Sequence, residues 1–342
     1  MSWEPSQCGL DPVCARSADT LVFVDVDGVL NVGARDEGDA PVLLNKEGIA
    51  DATRLWGKHE NHPMCDTIER LVSVSRRKLT HGENSTFSKF ACRGNSELSD
   101  LLVCRLTEVI KAAGDHRMLV LSSKWKRYKA RVKRLEKAIS VHLRSSFVFD
   151  AMTALENDCT PGTRLQAIGD FVEGLCTWRG SSAPTPRILV LEDFHITAMD
   201  GWLCDEVPMD STAAAEEYLW ARAGVPEATV RLVHTYEEWR SPGGLRVQVG
   251  AGLTKEHFCA AMQFLGHGCD LCAQPPDAEA TSAVGDLQTL GRADAAKTGA
   301  MQQRRRPAVD LDAEDSTQRP PKLQRTAPKP GSGARGVCVL AA

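Results

Sequence analysis

The stretch LVFVDVDGVLN, residues 21–31, decides the reading of this chain. Leu21–Val24 is a short run of branched and aromatic apolar residues, the pattern of a strand covered on both faces. It passes without a break into Asp25, Val26, Asp27 and Gly28. Carboxylates are costly in a strand core, so acids placed there belong to chemistry at the end of the strand.

Two more apolar runs end in reactive groups. Met118–Leu121 leads into Ser122, Ser123 and Lys124, and Ile188–Leu191 leads into Glu192 and Asp193. With Phe147–Phe149 and Val230–Val233 these runs make five expected strands, separated by helical patterns. The clearest helix is NSELSDLLVCRLTEVIKAAG, residues 95–114, with Ser96 as expected N-cap and Gly114 at its stop. Strands alternating with helices predict an α/β domain with a mostly parallel, Rossmann-like sheet in three layers. In such sheets ligands bind outside the carboxyl ends of the strands. Three separate segments would therefore bring carboxylates, hydroxyls and an ammonium to one edge.

Composition narrows the field. A net charge of −4 over 342 residues marks no general polyanion binder, so any attraction to anions must be local. The first twenty residues lack the basic start and apolar stretch of a secretory signal. No apolar run has the length of a membrane span. Reduced thiols and a cytoplasmic or nuclear location, with no membrane partner, are the expectation for the twelve cysteines. The sequence has no Walker loop, dinucleotide glycine fingerprint or nucleophile elbow.

The expected organisation is a flexible lead-in over 1–19, the α/β domain over 20–240, a terminal helical extension over 241–272 and a disordered tail over 273–342. The tail is poor in aromatic and branched apolar residues and cannot offset the entropy of ordering. Arg304, Arg305, Arg306 and Lys322 within it have the composition of an import signal. Residues 32–94 read as an insertion after the first strand, either a small cap or a long surface excursion.

The residues at the three strand ends suit phosphoryl transfer. A carboxylate can act as a covalent nucleophile, and a magnesium ion offsets its repulsion of a phosphate dianion. An acid two residues on, pointing the same way along an extended segment, can protonate the leaving oxygen and then activate water. Taken singly, each group also has a bland reading as a turn residue or helix cap. Their conjunction favours function.

DVDGVLN, LVLSSKWK and ILVLED, in that order, resemble motifs I, II and IV of the haloacid dehalogenase-like superfamily. The arrangement is most similar to the domain of that type in Swiss-army-knife RNA repair proteins, over about residues 20–240. The resemblance implies a Mg²⁺-dependent phosphatase working through an aspartyl-phosphate. It implies Asp25 as nucleophile and metal ligand, and Asp27 as general acid/base and ligand through its carbonyl. Ser122 would hold a phosphate oxygen, with Ser123 the alternative, and Asp193, with Glu192 beside it, would be the metal acid. The motif III cation is assigned to Arg164 in TPGTRLQAI. Glu-Asp replaces the usual pair of aspartates in motif IV, and the insertion after motif I is longer than in compact relatives.

KWKRYKARVKRLEKA, residues 124–138, reads as one basic helix with Trp125 and Tyr128 interleaved. A charge run is ordinarily a solvated face. This one starts at the catalytic edge, and Lys124, Lys126, Arg127 and Lys129 together with Ser123 form a candidate phosphate or nucleic-acid surface. The expected partner is a phosphorylated substrate, with RNA or DNA ends ahead of small phosphomonoesters; the rival outside enzymology is a non-catalytic binding module. His257, Cys259, His267, Cys269 and Cys272 are of zinc-ligand type, but a second well-spaced pair is missing, so the segment reads as an amphipathic helix with buried thiols.

Overall fold

The computed structural model describes residues 5, 10–36, 42–43, 92, 96–154, 161–193, 212–240 and 246–268. In chain order its first elements are α1 (Pro12–Ser17), β1 (Thr20–Val24), β2 (Gly33–Asp36), β3 (Val42–Leu43), α2 (Asp100–Ala112) and β4 (Arg117–Leu121). A 3-10 turn, Lys124–Arg127, then precedes α3 (Lys129–Leu143), β5 (Ala151–Met152), α4 (Pro161–Arg179) and β6 (Arg187–Glu192). The last are α5 (Thr212–Ala223), β7 (Val230–His234), β8 (Tyr236–Arg240), β9 (Arg246–Gly250) and α6 (Lys255–Phe264).

The main sheet has the order β5-β4-β1-β6-β7, and all its pairs are parallel. Its side chains divide by parity, as the pleat requires. Val22, Val24, Leu119, Leu121, Leu189 and Leu191 pack into one buried cluster with residues of α2, α3 and α6. Leu21, Phe23, Met118, Val120, Ile188 and Val190 face the other side, against α1, α4 and α5. Each strand is thus apolar throughout because both faces are covered, and the architecture is a three-layer α/β sandwich. Among the described residues no helix is long and apolar enough to cross a membrane.

Four of the five expected strands lie within a residue of their observed ends. Phe147–Phe149 does not form a strand. The Phe147 and Phe149 amides donate to Ser140 Oγ and Glu136 Oε1 on α3 (3.0 and 3.3 Å), and their rings meet edge-on. The ladder to β4 falls instead on Ala151–Met152. Helix α2 starts later than expected: Ser99, not Ser96, occupies the N-cap position. Ser96 instead closes a local turn by accepting from the Leu98 amide. Gly114 does follow the helix in the left-handed region (φ 83°).

A second sheet, antiparallel in the order β3-β2-β9-β8, was not expected. It draws residues 33–36 and 42–43, from the start of the 32–94 segment, onto 246–250. The extension over 241–272 is therefore part strand, and its helical portion is α6. That helix is capped by Thr254 and His257 in a reciprocal capping box. Phe258, Cys259, Ala261 and Leu265 bury into the same cluster as β1. The rest of the 32–94 segment apart from Val32 and Cys92, and the tail over 273–342, lie outside the described residues.

Phe23 is fully buried in β1 and packs edge-on against Phe171 of α4, centroids 5.6 Å apart. Phe23→Ala is expected to cost about 3–5 kcal/mol of stability, read as a lower denaturant midpoint with unchanged slope in equilibrium unfolding.

Candidate active site

The strand order places the site. From β1 the chain builds outward through β4 and β5, then returns to the other side of β1 for β6 and β7. The reversal leaves a crevice at the carboxyl ends of β1 and β6. Asp25 directly follows β1, Glu192 ends β6, and the Asp25 amide donates to Leu191 O (3.0 Å). On the other flank the Ser122 amide donates to Val24 O (2.9 Å). The three sequence segments singled out above therefore meet at one edge.

Arg164 sits in the first turn of α4, where a cation opposes the helix dipole. It is held there by acids. Its Nη2 lies 2.6 Å from Asp25 Oδ2 and 2.7 Å from Glu192 Oε2, with a further hydrogen bond to Glu192 Oε1 (2.8 Å). Ser122 Oγ donates to the same Glu192 oxygen at 3.3 Å. Ser123 hydrogen-bonds Asp25 and also accepts from the Trp125 amide, capping the 3-10 turn. The hydroxyl on Asp25 is thus that of Ser123, while Ser122 serves Glu192.

Burial raises the Asp25 carboxyl, but Arg164, Ser123 and the Val26 amide outweigh it, and the net shift is downward. Burial, with Asp25 close by, holds Asp27 above its ordinary value. Glu192 and Asp193 are driven well above theirs by burial; Arg164 opposes this at Glu192 without reversing it, and at Asp193 the nearby Asp25 carboxylate raises more than Arg164 lowers. Arg164 is more firmly protonated than a free guanidinium, because Asp25, Glu192 and Asp193 overcome the penalty of burial. Three acids, Asp25, Glu192 and Asp193, crowd around one guanidinium, and Asp27 stands beside Asp25.

That excess of oxygen ligands fits a hard divalent cation. One oxygen each from Asp25, Glu192 and Asp193 lies within 4.8 Å of the others, the one such cluster among the described residues. Since both Glu192 oxygens already face Arg164, Asp25 and Asp193 are the better placed pair.

Asp27 is gripped differently. Its Oδ1 accepts from Asn31 Nδ2 and its Oδ2 from the Trp125 indole N–H, each at 3.0 Å. The Asn31 carbonyl oxygen in turn accepts from the Gly28 amide (2.8 Å). Gly28 has φ 75°, and a Cβ there would overlap the Asp193 carboxylate. Its carbonyl accepts from the Thr235 hydroxyl and from the Gly252 amide, both at 2.8 Å. Gly250 of β9 lies so close that a Cβ on it would overlap Gly28 Cα. The antiparallel sheet therefore clamps the Asp25–Gly28 turn from the side.

Asn31 and Thr235 carry no strand-end signal in the sequence, and Trp125 is expected there only as an aromatic interleaved in the basic helix. Trp125 is 2% exposed and belongs to the core. The basic segment is also not one helix. It breaks at Tyr128 (φ −122°, ψ 95°) because Trp125 and Lys126, adjacent in sequence, both turn inward. Lys126 is buried and donates to Thr153 Oγ1 (2.6 Å) and Ala154 O (3.0 Å), so it is not on the outer surface. Lys124, Arg127 and Lys129 are exposed, as are Tyr128, Lys133 and Lys137.

The zinc-type residues are otherwise engaged. His257 Nδ1 belongs to the cap of α6, His267 Nε2 meets Ala112 O at 3.0 Å, and Cys259 is disulfide-bonded. Reduced thiols hold for Cys14, Cys92, Cys104 and Cys176 but not for Cys259. Cys269 and Cys272 lie outside the described residues. Comparison of the chain with protein-family models, curated proteins and solved structures finds no match.

Gly28→Ala is expected to destabilise the protein by more than the ~1–2 kcal/mol of a left-handed alanine, because the methyl must also displace Asp193. Thermal unfolding of the variant beside wild type reads this directly; equal midpoints would mean that the turn is readily rebuilt.

Proposed function

We propose that the protein is a Mg²⁺-dependent phosphohydrolase of the haloacid dehalogenase type, acting on phosphorylated nucleic-acid ends, with RNA ends favoured. The observation that carries this reading is the meeting of Asp25, Asp27, Ser123, Arg164 and Asp193 at one crevice of a parallel sheet, with the Asp25 carboxyl shifted downward beside Arg164 while Asp27 and Asp193 are shifted upward by burial. A bound magnesium ion, held by Asp25 and Asp193, would supply positive charge beside the substrate phosphate.

The chain's own residues then divide the work. An oxygen of Asp25 forms a bond to phosphorus as the bond to the leaving oxygen breaks, and the Asp27 carboxyl gives its proton to that oxygen. Water next attacks the aspartyl-phosphate, passing a proton back to Asp27 and releasing phosphate from Asp25. Arg164 is aimed at the nucleophile by Glu192, both of whose oxygens contact its Nη2, and can hold an equatorial phosphate oxygen. Ser122 braces Glu192, and Ser123 orients Asp25.

The substrate class rests on the exposed cations beside the crevice. Lys124, Arg127 and Lys129 follow the β4 end directly, with exposed Tyr128 among them. Such a strip attracts a phosphodiester backbone and offers one face for a base to stack on.

Three outcomes test the reading. Phosphate release from a generic aryl phosphate should need Mg²⁺ and fall by about three orders of magnitude or more in Asp25→Asn; wild-type and variant rates that match would remove Asp25 from the chemistry. Mg²⁺ at about 100 times its Kd should stabilise the wild type by about 2.7 kcal/mol, and Asp193→Asn should respond far less in the same thermal scan. Replacing Lys124, Arg127 and Lys129 together by Gln should weaken binding of a single-stranded oligonucleotide and reduce its log-salt slope by about 0.7 per lost phosphate contact, leaving aryl phosphate turnover intact. An unchanged slope would favour a small phosphomonoester.

A further inference from the structure

A closed ring of contacts, side chain to side chain except at the Glu97 main-chain carbonyl, surrounds the acid Asp27 and joins three distant segments. Its Oδ2 accepts from Trp125 Nε1. The Trp125 ring lies 5.3 Å from the Arg131 guanidinium, within cation–π range. Arg131 Nη2 meets Glu97 Oε1 at 2.7 Å, and the Glu97 carbonyl accepts from Asn31 Nδ2 at 3.0 Å. The same Asn31 amide returns to Asp27 Oδ1. Every link has a partner on both sides, so neither Asp27 oxygen can swing without breaking two contacts.

A buried tryptophan needs an acceptor for its N–H, and a main-chain carbonyl would serve for packing alone. Here the acceptor is the carboxylate that faces the crevice, and the opposite oxygen is held by a second neutral amide. Two neutral donors fix the orientation of a carboxyl group without adding charge to it. Arg131 lies beyond the indole, where its charge bears on the Trp125 and Tyr128 rings and on Glu97 and, more weakly than burial or the two neutral donors, lowers Asp27.

We propose that Trp125 is a positioning residue for the proton transfer to the leaving oxygen, with Arg131 holding the indole in place. This rests on the phosphatase reading above. The proton passed by Asp27 matters most when the leaving group is a poor one, such as the alkoxide of a ribose. A 4-nitrophenolate departs with little help.

The test compares kcat/KM for 4-nitrophenyl phosphate and for an alkyl phosphate, β-glycerophosphate, in wild type, Trp125→Phe and Arg131→Met. This parameter reports the steps up to phosphorylation of Asp25, before water is activated. Trp125→Phe is expected to lose about 10²-fold on the alkyl ester and only a few-fold on the aryl ester. Arg131→Met, a change on the half-exposed side of the ring, should show the same selective loss in weaker form. Equal losses on both esters in both variants would overturn the positioning role while leaving the phosphatase intact. A wild type without Mg²⁺-dependent turnover of either ester would overturn the phosphatase reading, and the positioning role with it.

Discussion

The contact on which the rest depends is the ion pair of Arg164 with Asp25 and Glu192. A buried charge is tolerated only when it is paired and hydrogen-bonded. Here one guanidinium, at the start of α4, ties the carboxyl ends of β1 and β6 together across the crevice. Removing it would leave two buried acids facing each other with no cation between them. The arrangement is therefore electrostatically incomplete in a defined direction: with Asp193 and Asp27 added, negative charge exceeds positive charge. Packing does not call for that excess, whereas a hard divalent cation would offset it.

Around this centre the structure is stiff where the chemistry needs it. β1 is central, flanked on both sides by parallel partners and covered by helices on both faces. The turn after it is fastened by backbone hydrogen bonds to residues 252 and 253 and by Thr235. Carboxylates of similar intrinsic acidity are thereby held in different environments, Asp25 and Glu192 against a guanidinium and Asp27 between two neutral donors. Such divergence is how one site can provide both an ionised nucleophile and a proton donor. The exposed cations of the 3-10 turn and α3 stand outside this packed region.

Much of this was legible in the sequence because it is written in local signals. Continuous apolar runs mark strands covered on both sides, and the acids and serines at their ends stand out because a core has no use for them. Arg164, 28 residues from the nearest of these acids, Glu192, carries no such local signal and was assigned through the resemblance's need for a cation at a helix start. The short strand β5 was misread by a few residues because Phe147 and Phe149 carry a stronger apolar signal than Ala151 and Met152. Their amides bond to α3, a choice no strand propensity encodes.

What the amino-acid order determined by itself was the α/β class, the parallel core strands and the acids and hydroxyls gathered at their ends, since periodicity and strand-end chemistry are properties of consecutive residues. What only the tertiary structure decided was which of these groups touch. Trp125 and Lys126 look like members of a basic, aromatic strip, yet both turn inward, one to Asp27 and the other to Thr153 and Ala154. β9 approaches the Asp25–Gly28 turn closely enough to require glycine at 250, although more than two hundred residues separate them. Such contacts depend on burial and on distances across the fold, and neither can be read from neighbours along the chain.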